Sequence, residues 1–190
     1  YMTRGPSSAT APGKLMLAGE YAVVGGYGPA VAVALSRAIE VTVEEARAPT
    51  LTSHALGLVG ASVEAVPVLV EVFKRCGMPD AHVIVQSELG AGPTKPGFGS
   101  SAALCVAALK ALRTFTGMAE PTLKDAVESH RNAQGGAGSG YDVATAWLGG
   151  VCVYSCQGDV PSAVSMPWCS GLNGAVLFTG RGAKTTSHLD

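Results

Sequence analysis

His82-Val83-Ile84-Val85-Gln86-Ser87-Glu88-Leu89 leads directly into Gly90-Ala91-Gly92-Pro93-Thr94-Lys95-Pro96-Gly97-Phe98-Gly99-Ser100-Ser101-Ala102-Ala103. The first stretch carries Val83 and Val85 on one side and predicts a strand. After the loop at 90–97, the spacing of Ala103, Val106, Ala107, Ala108, Leu109 and Leu112 predicts a helix from Ser100 to Thr114 with a broad apolar face. A glycine-rich turn from strand to helix aims backbone N–H groups and the positive helix end at one spot. Glycines let that backbone come close to a polyphosphate. Ser100 and Ser101 add hydroxyls for phosphate oxygens or Mg²⁺. Lys95 adds a cation, and Ala102 and Ala103 keep the first turn free of bulk. The segment is not a G-x-x-x-x-G-K-[ST] loop, and it lacks the third glycine of a dinucleotide fingerprint. By itself it supports a phosphorylated ligand, with a plain strand-to-helix turn as the alternative.

Outward from this junction the pattern is mixed. Lys14 to Gly19 reads as a strand after a Pro-Gly turn. Ala30 to Leu35 reads as a buried strand or short helix, and Ala38 to Glu44 alternates as a half-buried strand. Residues 47–60 carry little pattern. Val63 to Cys76 has helix spacing, with Gly77 as its cap. Thr122 to Gln134 reads as a helix with Thr122 as N-cap and Asp125 in the capping-box position. A glycine loop at 135–140 leads to a helix at 141–147. Gly150 to Ser155 and Gly174 to Thr179 read as strands. Strands first, then strands mixed with helices, predict an α+β sandwich with helices on one face of a mixed sheet.

Composition narrows the function classes. The 190 residues are 47% hydrophobic and 14% charged, with a net charge of −1. That describes a globular chain, and it argues against nucleic acid or an anionic membrane as the main partner. No apolar stretch reaches membrane-spanning length, and the start lacks a signal core. Cys76, Cys105, Cys152, Cys156 and Cys169 have no metal-ligand spacing with histidine partners. They read as reduced thiols, which predicts a cytoplasmic protein. Tyr1, standing before Met2, reads as a retained tag residue, and 1–10 as an extension into the first strand.

Three segments together resemble a known family. Ala11-Pro12-Gly13-Lys14-Leu15-Met16-Leu17-Ala18-Gly19-Glu20-Tyr21 resembles the first motif of the GHMP kinases (galactokinase, homoserine kinase, mevalonate kinase, phosphomevalonate kinase). Pro96 to Ala103 resembles their ATP-binding motif. Ala133-Gln134-Gly135-Gly136-Ala137-Gly138-Ser139-Gly140-Tyr141-Asp142-Val143-Ala144-Thr145-Ala146 resembles the stretch around their acidic catalytic residue. The absence of proline before Asp142 makes this third stretch most similar to the phosphomevalonate kinase branch. Lys95 and the segment from Thr179-Gly180 through Ala183, Thr185 and Thr186 are similar to that branch as well.

The resemblance implies an α+β N-terminal kinase domain of the ribosomal protein S5 domain 2-like kind over 11–175. It implies that 176–190 begins a C-terminal ferredoxin-like domain whose remainder is absent from this sequence. ATP and Mg²⁺ are the implied cofactors, and 5-phosphomevalonate the implied acceptor. Mevalonate or another small molecule of the family is the alternative acceptor, and a non-catalytic metabolite sensor a further one. Lys14 and Asp142 are the implied catalytic pair. Lys95, Pro96, Gly97, Phe98, Gly99, Ser100, Ser101 and Ala102 would hold the ATP phosphates. Arg131, Gly138 and Ser139 would meet the acceptor, whose own phosphate demands an extra cation. Ser101 is the implied Mg²⁺ contact. Glu128 is a second metal candidate, with a solvated helix carboxylate as its alternative. His130 reads as a packed helix histidine. The expected partners are small molecules, with a monomer or homodimer as the assembly.

Overall fold

The computed structural model describes residues 5–24, 28–90, 96–158 and 160–178. Lys95 and the 179–190 segment therefore lie outside the described residues. In chain order the elements are β1 (Ser7–Ala18), α1 (Glu20–Val24), β2 (Ala30–Glu45), β3 (Thr50–Ser53), β4 (Leu58–Ser62), α2 (Pro67–Arg75), β5 (Ala81–Ser87), α3 (Ser100–Thr116), α4 (Leu123–Ala133), α5 (Tyr141–Leu148), β6 (Val151–Gln157) and β7 (Val160–Met166). The strands form one sheet in the order β4-β3-β5-β2-β6-β7, with β1 along the other side of β2. The β3–β5 pair is parallel and the other pairs are antiparallel, so the sheet is mixed as expected.

β2 is one 16-residue strand where the sequence suggests two elements. Its C-terminal half, Ile39 to Glu45, pairs with β5, and its N-terminal half, Ala30 to Val33, pairs with β6. Between these halves the register with β1 jumps from Pro12↔Ala38 to Lys14↔Ala34. The inward side chains change parity across the jump: Ala30 and Ala32 are buried before it, and Ile39, Val41 and Val43 after it. That irregularity is why two short apolar patterns appear in the sequence.

The helices cover one face. Ile39, Val41, Val43, Leu51 and Val83 point into a core shared with α2, α3 and α4. On the opposite face Ser8 and Thr42 join hydroxyls at 2.9 Å in the open. Helix α3 is buried without a break from Ala102 to Leu109. Its alanines let the sheet and three neighbouring helices approach closely, as an all-round apolar helix requires.

The capping box at Thr122 is present: its hydroxyl accepts from the Asp125 amide at 3.1 Å, and the Asp125 carboxylate accepts from the Thr122 amide at 2.8 Å. Three differences from the sequence reading follow from tertiary pairing. Residues 50–53 and 58–62 become β3 and β4 because β5 offers β3 a parallel edge. Residues 63–65 form a 3₁₀ turn, and α2 starts at Pro67 in the first-turn position that tolerates proline. The expected strand from Gly174 is not formed through Phe178, whereas Val160–Met166 is the edge strand β7.

Arg75 joins α2 to α4. Its guanidinium meets Asp125 at 2.8 Å, Glu128 at 2.9 Å and the Ser129 hydroxyl at 2.9 Å. Burial pushes the Asp125 carboxyl up, but the two Thr122 hydrogen bonds and the Arg75 charge outweigh it and hold it below its ordinary value. A depressed carboxylate stabilises the fold above its unfolded pKa, and that contribution is lost as pH falls through the folded value. Asp125→Asn is therefore expected to lower the urea midpoint at pH 7. The gap to the parent protein should close as pH drops below about 3.9. A gap that stays constant from pH 7 to pH 2.5 would refute the assignment.

Candidate active site

The break in the β1–β2 ladder frees the Lys14 amide, which donates to the Phe98 carbonyl at 2.8 Å. This bond docks the 96–99 loop onto β1. Gly99 then takes φ +75°, and a Cβ there would stand 2.9 Å from Lys14 Cγ. Glycine is thus demanded twice, by the left-handed backbone and by the lysine chain lying across it. From this position the Lys14 ammonium donates to the Gly97 carbonyl at 3.3 Å and to the Tyr141 hydroxyl at 3.1 Å. It also stands 5.2 Å from the Tyr141 ring centre. A residue of the first motif thereby touches both the glycine loop and the residue preceding Asp142.

Helix α3 begins without a side-chain cap, on Gly99. Its first intrahelical bond runs from the Ala103 amide to Gly99 at 3.0 Å. The amides of Ser100, Ser101 and Ala102 therefore open out of the helix start, an arrangement that suits an anion. Ser101 is exposed, and its hydroxyl oxygen lies 3.2 Å from His130 Nε2. A cleft of about 290 Å³ adjoins these serines. Ile39, Val66, Val85 and Leu104 give it apolar walls, with Ser53 and Ser100 as polar points. Ser53 is 1% exposed, and its hydroxyl has no hydrogen-bond partner among the described residues.

Asp142 sits in the first turn of α5, half-buried, and accepts from the Val143 amide through Oδ1 at 2.9 Å. Its charge is felt at Cys105, where burial first and Asp142 second push the thiol up to about 12. Cys76, Cys105 and Cys152 are buried free thiols, Cys156 is half-buried and Cys169 is exposed. Glycine at position 140 is set by its surroundings: φ is +91°, and a Cβ would stand 2.8 Å from the Tyr154 hydroxyl and 2.9 Å from Val127.

Arg131, Gly138 and Ser139 are brought together. Arg131 donates to the Gly138 carbonyl at 2.9 Å and to the Ser139 carbonyl at 3.0 Å. The buried Tyr154 hydroxyl adds a bond of 2.6 Å to the Ser139 carbonyl. Arg131 thus braces the loop that presents Asp142. The Glu128 carboxylate is held by Arg75 at 2.9 Å and by Lys124 at 3.7 Å. It lies two residues before His130, about 200° round the helix from the side that meets Ser101. Among the described residues no group of three His, Cys, Asp or Glu side chains could hold a metal. Mg²⁺ still fits, because it takes few protein ligands and draws most of its shell from phosphates and water. The exposed Ser101 hydroxyl would be such an oxygen ligand.

Sequence reasoning missed the Tyr141 contact to Lys14, the His130 contact to Ser101, the Tyr154 brace and the Ser53 cleft. Tyr154 was open to discovery, since Cys152 and Tyr154 alternate inward. The i, i+4 spacing of His130 and Gln134 marked a shared helix face. No local signal pointed to Ser53.

The sequence model of the GHMP kinases N terminal domain matches residues 61–150, the part that holds the glycine loop, α3 and Asp142. The chain carries a GHMP kinase N-terminal domain. It is 35% identical over 159 residues to the mevalonate kinase of Methanothermobacter thermautotrophicus, covering 80% of this chain and 51% of that one. It is 38% identical over 109 residues to the mevalonate kinase of Archaeoglobus fulgidus, covering 55% of this chain and 36% of that one. This chain therefore spans about half the length, or less, of these curated relatives. Streptococcus pneumoniae phosphomevalonate kinase in complex with phosphomevalonate and AMPPNP superposes with a TM-score of 0.65 at 17% identity. That match covers 78% of this chain and 49% of the other, and it shows the GHMP kinase fold alone. Among the described residues no helix is long and apolar enough to cross a membrane.

Gly140→Ala is expected to lower the stability by at least about 1 kcal/mol from its left-handed backbone alone. Equilibrium urea unfolding measures this, and an unchanged midpoint would show that the 138–140 loop is not pinned by Tyr154.

Proposed function

We propose that the protein is an ATP-dependent kinase acting on a mevalonate-class acceptor, with Lys14 and Asp142 as its catalytic pair. The observation that carries this reading is Lys14, whose ammonium reaches the glycine loop at Gly97 and α5 at Tyr141, beside Asp142. The triphosphate lies on the 96–102 segment, with Lys95 as a further cation. The open amides of Ser100, Ser101 and Ala102 receive its charge, and the Ser101 hydroxyl would hold Mg²⁺, which would supply charge neutralisation at the phosphates. The base enters the apolar cleft, where the Ser53 hydroxyl offers it an otherwise unused hydrogen bond.

Asp142 spends one carboxylate oxygen on the Val143 amide. Its other oxygen has no protein hydrogen bond among the described residues and is available to orient the acceptor hydroxyl and take its proton. The acceptor oxygen then bonds to the terminal phosphorus as the bond to ADP breaks. Lys14 stabilises the charge shared among these oxygens.

Mevalonate is the favoured acceptor, supported by the two mevalonate kinase relatives and by Arg131 being taken up by loop carbonyls. Its 5-phosphate is the second reading, supported by the Gly138-Ser139-Gly140-Tyr141-Asp142 resemblance, in which Ser139 and Gly138 meet the acceptor. In either case the kinase domain spans 11–175 and 176–190 begins another. The exposed apolar side chains of Val176, Leu177 and Phe178 support that continuation.

ADP release by the full-length protein with mevalonate, 5-phosphomevalonate, homoserine and galactose separates these acceptors. Turnover with homoserine or galactose alone would sink the mevalonate-class reading. Asp142→Asn is expected to cut turnover about 10²- to 10⁴-fold while ATP binding is retained. Unchanged turnover would remove Asp142 from the chemistry.

A further inference from the structure

His130 is one of the few buried polar side chains among the described residues, at 3% exposure. It lies on α4 beneath the start of α3, with Nε2 at 3.2 Å from the Ser101 hydroxyl oxygen and 3.4 Å from Gln134 Nε2. With the Gln134 amide in this orientation its nitrogen donates to His130 Nε2, which assigns the ring proton to Nδ1. In that tautomer the Ser101 hydroxyl, which meets the same nitrogen, donates to it. A hydroxyl whose proton is turned inward keeps both lone pairs for the exposed side of Ser101.

We propose that His130 is a positioning residue for the cation that accompanies the nucleotide. By accepting the Ser101 proton, it fixes the Oγ lone pairs toward the phosphate loop, where they ligate Mg²⁺. This inference rests on the kinase reading given above. It assigns to α4 a role separate from the contacts that Glu128 and Arg131 make. An outer partner that orients a ligand is worth about 10- to 100-fold in metal affinity.

Two measurements test it on the full chain. In the metal-free protein, the ¹⁵N shifts of the His130 ring are expected to report a proton on Nδ1 and a bare Nε2. A proton on Nε2 overturns the proposal, because Nε2–H would then donate to Ser101 and occupy a lone pair. In nucleotide binding at fixed ATP, His130→Ala is expected to raise the half-saturating Mg²⁺ concentration about tenfold. His130→Gln, which keeps an acceptor oxygen, should recover most of that loss.

In a Ser101→Ala background, His130→Ala should change the Mg²⁺ response no further. An equal added loss there means that His130 acts through packing, and it overturns the proposal. A parent protein that binds nucleotide with ordinary Mg²⁺ dependence, alongside an indistinguishable His130→Ala, overturns this inference alone. A parent protein with no Mg²⁺-dependent nucleotide binding overturns the kinase reading together with it.

Discussion

The site depends on one backbone donor that the sheet cannot satisfy. Where one residue of β1, Gly13, runs beside three of β2, Leu35, Ser36 and Arg37, the ladder breaks. The Lys14 amide leaves the ladder and needs another acceptor, because a backbone N–H in the protein interior is seldom left unpaired. The Phe98 carbonyl supplies it. The glycine loop is thereby tied to the sheet at one point, and the Lys14 side chain is laid across Gly99 toward Tyr141. A strand defect, a phosphate-type loop and a helix start converge because one hydrogen bond is displaced.

Helix α3 carries that convergence into the core. Its small side chains from Ala102 onward allow β1, β2, α2, α4 and α5 to pack around it. Its N-terminus consequently points at the loop with little freedom, and its open amides are held where the Lys14 ammonium is also held. Rigid placement of charge matters for phosphoryl transfer, in which positioning and electrostatic stabilisation do most of the work.

The second half of the site is braced rather than merely connected. Arg131 and Tyr154 both bind carbonyls of the 138–139 loop, one from α4 and one from β6. Arg75 ties α4 to α2 through Asp125, Glu128 and Ser129. These bonds consume the charged side chains of α4 that the sequence offers as ligands. What α4 presents to the start of α3 is His130, whose Nε2 lies 3.2 Å from the Ser101 hydroxyl oxygen.

The sequence by itself determined the mixed α+β class, the strand-loop-helix at 82–114, the capping box at Thr122 and the helix carrying Asp142. Each is written in short-range terms: apolar periodicity, a glycine cluster, a cap three residues from its partner. The three motif segments were also legible, since each is contiguous. Tertiary structure alone decided that 50–53 and 58–62 are strands, that β2 is one continuous strand, and that Val160–Met166 closes an edge. It alone decided that Glu128 pairs with Arg75, that Arg131 binds the Gly138 and Ser139 carbonyls, and that Lys14 meets Tyr141 across 127 positions of the chain. Side chains able to bind a ligand are equally able to bind the protein. Residue type and spacing cannot tell the two apart, because the choice is made by neighbours that arrive only on folding.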